Sequence, residues 1–475
     1  MDTAKMAAAH KLGDMTSGSV LKKILFFSLP LFLGNIFQQV NFMVDAVAVG
    51  QYVGRDGLAA VGIAGQLIFL MISFIIGITI GSSTVISQLF GAKKLDELRT
   101  AISTTIIYLF VGTLIITAAG VFLTGPLLRL LQTPPEVYDY AYTFLIIIFG
   151  GMIGLFAFNT FGGILRGLGD SKTPNYFLMI SCVLNIGLVL LFTGVFKWGV
   201  AGSAWATVIA QTVSAVITVV YVFKKIEFLR FRWKDMKFDR KIFAVSIKLG
   251  LATGVQQFVV SASFVVLQGL INGFGADTIA ACTAGGRLDQ IAITFIMSIG
   301  MAVQMFAGQN MGAGKLDRVK KGVWVSIAIS AVICVLVTGI IQFFGPQIIA
   351  AFVDPGSNPN VIIIGDQYIR VLSYFYIIIG VSFIYTSTLR GCGDVVMPLV
   401  STIVAVGGRT VAAYLMASAL GPGSIWWSQP VGWGLGLIMV FAWYMTGRWN
   451  TKGVVHKIAL AEPAIPSRPA PEPEG

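Results

Sequence analysis

The sequence predicts an all-α integral membrane protein, with twelve transmembrane helices in two six-helix lobes related by a pseudo-two-fold axis along the membrane normal. Three observations carry that prediction. Of the 475 residues, 56% are hydrophobic and only 11% charged, against about 25% charged in a soluble domain. Hydropathy this high over this length is incompatible with one large water-soluble core. Basic residues fall in alternate loops, and short motifs of the first half recur in the second.

Each span is an apolar run of about 20 residues or more, enough to cross a bilayer at ~1.5 Å rise per residue. Charges, prolines and glycine clusters mark the runs off at 24–50, 58–87, 99–124, 138–162, 174–194, 199–223, 242–272, 278–306, 319–344, 361–388, 396–419 and 425–447. Around them the chain divides into an N-terminal tail (1–20), an N-lobe (21–223), a basic linker (224–241), a C-lobe (242–449) and a Pro-rich tail (450–475) expected to be disordered. The polar first 18 residues show no cleavable signal peptide. Trp426, Trp427, Trp443 and Trp449 suit anchoring at the membrane interface.

Loop charge gives the orientation. With the N-terminus inside, 26 Lys and Arg fall on the cytoplasmic side, 3 outside (Arg55, Arg129, Lys197) and 4 within spans (Lys248, Arg287, Arg370, Arg409). The split predicts a multi-pass protein of the cell (inner or plasma) membrane with both termini cytoplasmic. It also accounts for the net charge of +12 without a nucleic-acid partner. Cys182, Cys282, Cys334 and Cys392 show no metal spacing and read as small packing residues.

The repeat gives the lobes. "GAKKLDELR" (91–99) matches "GAGKLDRVK" (312–320), 221 residues later, and "LRGLGD" (165–170) matches "LRGCGD" (389–394), 224 later. Glycine stops the helix in these loops and basic residues hold its end at the headgroups, so they read as turn elements rather than binding sites. Duplicated six-helix halves are a common plan for transporters that bind substrate between the halves near the midplane. Nothing in the chain looks enzymatic: it has no His cluster, no Ser–His–Asp set and no phosphate-binding glycine loop.

"LPLFLGNIFQQVNFMVDAVAVGQYVG", "VISQLFGAKK", "LRGLGDSKTPN", "LNIGLVLLF", "WGVAGSAWATVIAQ", "GRLDQ", "GQNMGAGKLDRVKKG" and "LRGCGD" follow one another from about residue 20 to 450. In this order they resemble the bacterial MATE (multidrug and toxic-compound extrusion) transporters. The resemblance implies two lobes around a V-shaped central cavity, and a cation-coupled antiporter that exports organic, cationic or amphiphilic compounds. The drive would be inward flow of protons or sodium ions, with no cofactor beyond that ion. Small-molecule substrates and membrane lipids are the expected partners, and a monomer the expected state. A flippase for a lipid or lipid-linked precursor is the alternative within the same superfamily; an uncoupled channel is a third reading.

The resemblance also implies an ion site. The N-lobe aspartate of the family matches Asp45, and its polar neighbours match Gln38, Asn41, Asn159 and Asn185, with Thr207 a weaker match. Where many relatives carry a second acid on the fifth span, this chain has Val189. The seventh span offers Gln256 and Gln257 instead of a glutamate.

From the residues alone, Asp45 and Asp289 are the acids placed clearly inside spans, and an ionised group there costs at least ~3 kcal/mol unless it faces a cavity or a partner. Gln38, Asn41 and Asp45 share one helix face by three-to-four spacing. Their oxygens suit a hard cation, while a desolvated carboxylate suits a proton; a wetted helix-end aspartate is the plainer reading. Asp289 follows Arg287 in "GGRLDQ", and residues two apart point to different faces. Asp289 is therefore read either as lining a C-lobe cavity or as a structural charge partner of Arg409 or Arg370.

Overall fold

The computed structural model describes residues 13–226, 229, 235–352 and 359–455. Both histidines, most of the Pro-rich tail, the first twelve residues and part of the linker lie outside the described residues. Thirteen α-helices are present among the described residues: α1 (Val20–Tyr52), α2 (Arg55–Gly91), α3 (Leu95–Leu130), α4 (Pro135–Gly150), α5 (Met152–Gly167), α6 (Lys172–Val189), α7 (Val200–Lys225), α8 (Arg240–Gly273), α9 (Ala276–Gly312), α10 (Leu316–Ala350), α11 (Pro359–Gly391), α12 (Val396–Leu420) and α13 (Gly423–Met445).

Eleven helices are each long and apolar enough to cross a membrane, and α4 with α5 forms a twelfth span bent by 48°. The bend falls at the Gly150–Gly151 pair, the kind of position where long helices kink. The fifth span, α6, ends in a wider π-type turn, Leu190–Val195. Large apolar side chains such as Phe122, Phe343 and Leu415 are exposed around the outside. In water they would be a liability; against lipid tails they are the expected surface.

Helices α1 to α7 pack as one lobe and α8 to α13 as the other, with α1 and α2 meeting α8, α9 and α10 across the middle. The α2–α8 crossing depends on glycine. A Cβ added at Gly81 would stand 2.5 Å from Gly250 N and 2.7 Å from Ser246 O, so only a bare backbone allows the lobes this close.

Contact between the lobes is concentrated toward the face carrying both termini. There the two repeat motifs interlock with approximate two-fold symmetry. Gln88 at the end of α2 donates to Gly391 O (2.7 Å) and accepts from Val454 N of the C-terminal segment (2.6 Å). Gln309 at the end of α9 donates to Gly167 O (3.3 Å) and accepts from Met15 N of the N-terminal segment (2.9 Å). Both glutamines are fully buried. A Cβ on Gly91 would run into the Gln309 backbone, and one on Gly312 into the Gln88 backbone.

Three expectations change here. The loops read as turn elements turn out to close one face of the molecule. Residues 450–455 belong to the packed body: Trp449 is 1% exposed and stacked on Tyr444, and Val454 is buried. Trp449 and the buried Trp426 are therefore core residues, not interface anchors, whereas Trp427 is exposed.

Candidate functional site

Above the closed face, Phe32 of α1 stacks on Phe295 of α9 and Asn35 donates to Ser298 at 3.4 Å. Beyond these α1–α9 contacts, a cavity of about 730 Å³ opens between the lobes in the half of the molecule away from the termini. The α1 face turned to it carries Gln39, Met43, Ala46 and Val47. From the C-lobe come apolar walls such as Phe264 and Ile291, the amides Gln268 and Gln290, and two cations, Arg287 and Arg409.

The stripe of Gln38, Asn41 and Asp45 lies on another face of α1, about 100° of helix turn per residue away from its cavity-lining neighbours, and none of the three lines the cavity. Asp45 points into the N-lobe instead. Its carboxylate accepts from Ser203 Oγ of α7 at 2.6 Å, a neighbour that the sequence reading missed. On the facing helices Asn185 of α6 donates to Thr207 of α7 at 3.2 Å. Asn41 Oδ1 is buried and lacks a hydrogen-bond partner, which leaves one free oxygen on the Asp45 face. Asn159 is satisfied by its own helix, donating to Leu155 O at 2.8 Å, and Gln38 is half-buried.

Val189, standing where relatives carry a second acid, is fully buried against Ala48 and Ala206. Ala48 lies one turn beyond Asp45 on α1. The position of the second acid is thus filled by apolar packing.

In the C-lobe, Asp289 is buried with Tyr376 and Arg409 beside it, and its Oδ1 has no hydrogen-bond partner. It does not line the cavity, although Arg287, two residues earlier, does. Of its two candidate partners the structure brings Arg409, whereas Arg370 is engaged by Asp366 at 2.7 Å. Asp366 lies within α11, so it is a further acid inside a span, one turn from the arginine that neutralises it. Gln256 donates to Thr402 of α12 at 2.6 Å and Gln257 is half-buried; neither lines the cavity.

A twelve-span, two-lobed membrane protein with a central cavity open on one side and a symmetric plug on the other has the architecture of a transporter. The sequence comparisons agree: the family profile described as MatE matches residues 30–191 and 252–415, one segment in each lobe. The chain belongs to the MATE family, whose members are transporters and not enzymes. It is 32% identical to the probable multidrug resistance protein YpnP of Bacillus subtilis (strain 168), over 93% of this chain and 98% of that one. To the probable multidrug resistance protein YoeA of the same organism it is 31% identical, over 93% and 96%. Among solved structures, an outward-facing conformation of a multidrug resistance MATE family transporter superposes with a TM-score of 0.86 at 22% identity, covering 91% of this chain and 97% of that one.

Proposed function

We propose that the protein exports amphiphilic organic compounds across the cell membrane by alternating access, driven by inward flow of protons or sodium ions. The observation that carries this reading is the asymmetry between an open cavity and a sealed opposite face. Loop charge puts the sealed face in the cytoplasm, which makes this the outward-open state, from which cargo leaves and the driving ion enters.

Asp45 is the ion's site. Its carboxylate, the Ser203 hydroxyl, the Asn185–Thr207 pair and the unpaired Asn41 oxygen bring oxygen donors of α1, α6 and α7 to one region of the N-lobe. Such oxygens suit a hard cation, and a single enclosed carboxylate equally suits a proton. Occupancy of the site would change how α1 packs on α6 and α7. Because α1 also lines the cavity, the same helix carries the change to the cargo. The protein works as a monomer within the lipid.

Uptake of ethidium and of fluorescein into everted vesicles, with proton and sodium gradients imposed separately, tests this on wild type and Asp45→Asn. Wild type should accumulate at least one of the two dyes under one of the gradients, and Asp45→Asn should lose that drive. Normal pumping by Asp45→Asn under both gradients would refute the site.

A further inference from the structure

We propose that the outer cavity is built for an amphiphile bearing a negative charge, such as a carboxylate, phosphate or sulfonate on an apolar, partly aromatic body, and that Arg287 and Arg409 select it. The proposal names the substrate class of the efflux reading above and rests on it for the direction of traffic.

The cavity wall carries two cations and no carboxylate among its lining residues. Arg287 is exposed to the cavity and has neither a hydrogen-bond nor an ion-pair partner among the described residues. Arg409 is held by its flat guanidinium face over the Phe264 ring, 4.9 Å from the centroid, and its buried Nε has no acceptor. The acid nearby, Asp289, sits behind the wall. A ligand entering the cavity therefore meets amide donors, the Arg287 guanidinium, which has no acid partner among the described residues, and the face of Arg409, whose compensating acid Asp289 lies behind the wall.

Arg287 is the twelfth residue of α9, about 17 Å from its outer end at 1.5 Å rise per residue. An unpaired guanidinium at that depth is costly, and a planar five-donor fork is best satisfied by a carboxylate, phosphate or sulfonate. An organic cation would be repelled by the same wall. Gln268 and Gln290 supply further donors, while Met43, Phe264 and Ile291 supply the apolar contact that the body of an amphiphile needs. Resemblance to the family alone implies cationic cargo; the lining of this cavity argues for the opposite sign.

The test is equilibrium binding to purified, detergent-solubilised protein, read by fluorescence polarisation with no ion gradient. Fluorescein and a cationic rhodamine of the same xanthene skeleton differ chiefly in charge. Wild type should bind fluorescein at least about tenfold more tightly, a difference of about 1.4 kcal/mol. The Arg287→Gln/Arg409→Gln variant should lose or invert the preference, and Arg287→Lys/Arg409→Lys should keep its sign. Equal or tighter binding of the rhodamine by wild type, or a preference untouched by neutralisation, overturns the proposal. So does an equal weakening of both dyes, which is what a purely structural role would give. Short-chain phosphatidylglycerol and phosphatidylcholine as competitors identify the source of the anion. Displacement of fluorescein by the former alone assigns the site to a lipid headgroup, and displacement by neither assigns it to a soluble anion. Both results support a charge-selective cavity. Binding requires no gradient, so a failure of coupled efflux in vesicles and a failure of charge selection are distinguishable.

Discussion

Replacing Gln88 and Gln309 together by leucine should unlatch the sealed face. Their side chains make four buried hydrogen bonds, Gln88 to Gly391 and Val454 and Gln309 to Gly167 and Met15. At about 1 kcal/mol net per bond, each glutamine contributes about 2 kcal/mol to the closed face and the pair about 4 kcal/mol. Leucine roughly keeps the volume but leaves the backbone groups buried and unpaired while the face is shut. Those groups regain water when it opens, so the penalty falls on the closed state alone. A shift of about 2 kcal/mol changes the ratio of the two states roughly 30-fold. Spin labels at Lys93→Cys and Asp317→Cys, two exposed positions flanking the plug, report the opening as a longer distance population. That population should grow in each single variant and dominate in the double. Identical distance distributions in wild type and double variant would refute the reasoning.

Two further outcomes follow from packing. Gly81→Val places a branched side chain where α8 backbone atoms already approach within 2.8 Å of a bare Cβ position; the overpacking should cost about 1–3 kcal/mol, seen as a lowered melting temperature in detergent. Trp449→Ala empties a fully buried site against Tyr444 and should cost about 3–5 kcal/mol; limited proteolysis should then cut within 446–455 faster than in wild type.

The span pattern was legible because lipid leaves helices little choice: each crossing must be long and apolar, and basic residues mark the ends. The repeat motifs announced two lobes for the same reason. What stayed hidden depended on three-dimensional pairing. Ser203 is one serine among many until α7 sets it against Asp45. Gln88 and Gln309 read as ordinary polar residues at helix ends, because their partners are 303 and 142 residues away. Val189 was recognised as a departure from relatives, but only its contacts with Ala48 and Ala206 show that no room is left for a second acid. The helix face bearing Asp45 was correctly read as a polar stripe, yet periodicity cannot say which neighbour a face meets. It meets the N-lobe interior, while the other face lines the cavity.

The latch also imposes an order of assembly. Gln309 finds its backbone donor near the start of the chain, 294 residues behind it, so that half is available as soon as α9 is made. Gln88 waits for Val454, 366 residues ahead. A nascent chain that already has every span in the bilayer still has one half of its seal unmade, and completing it falls to the segment that follows the last span.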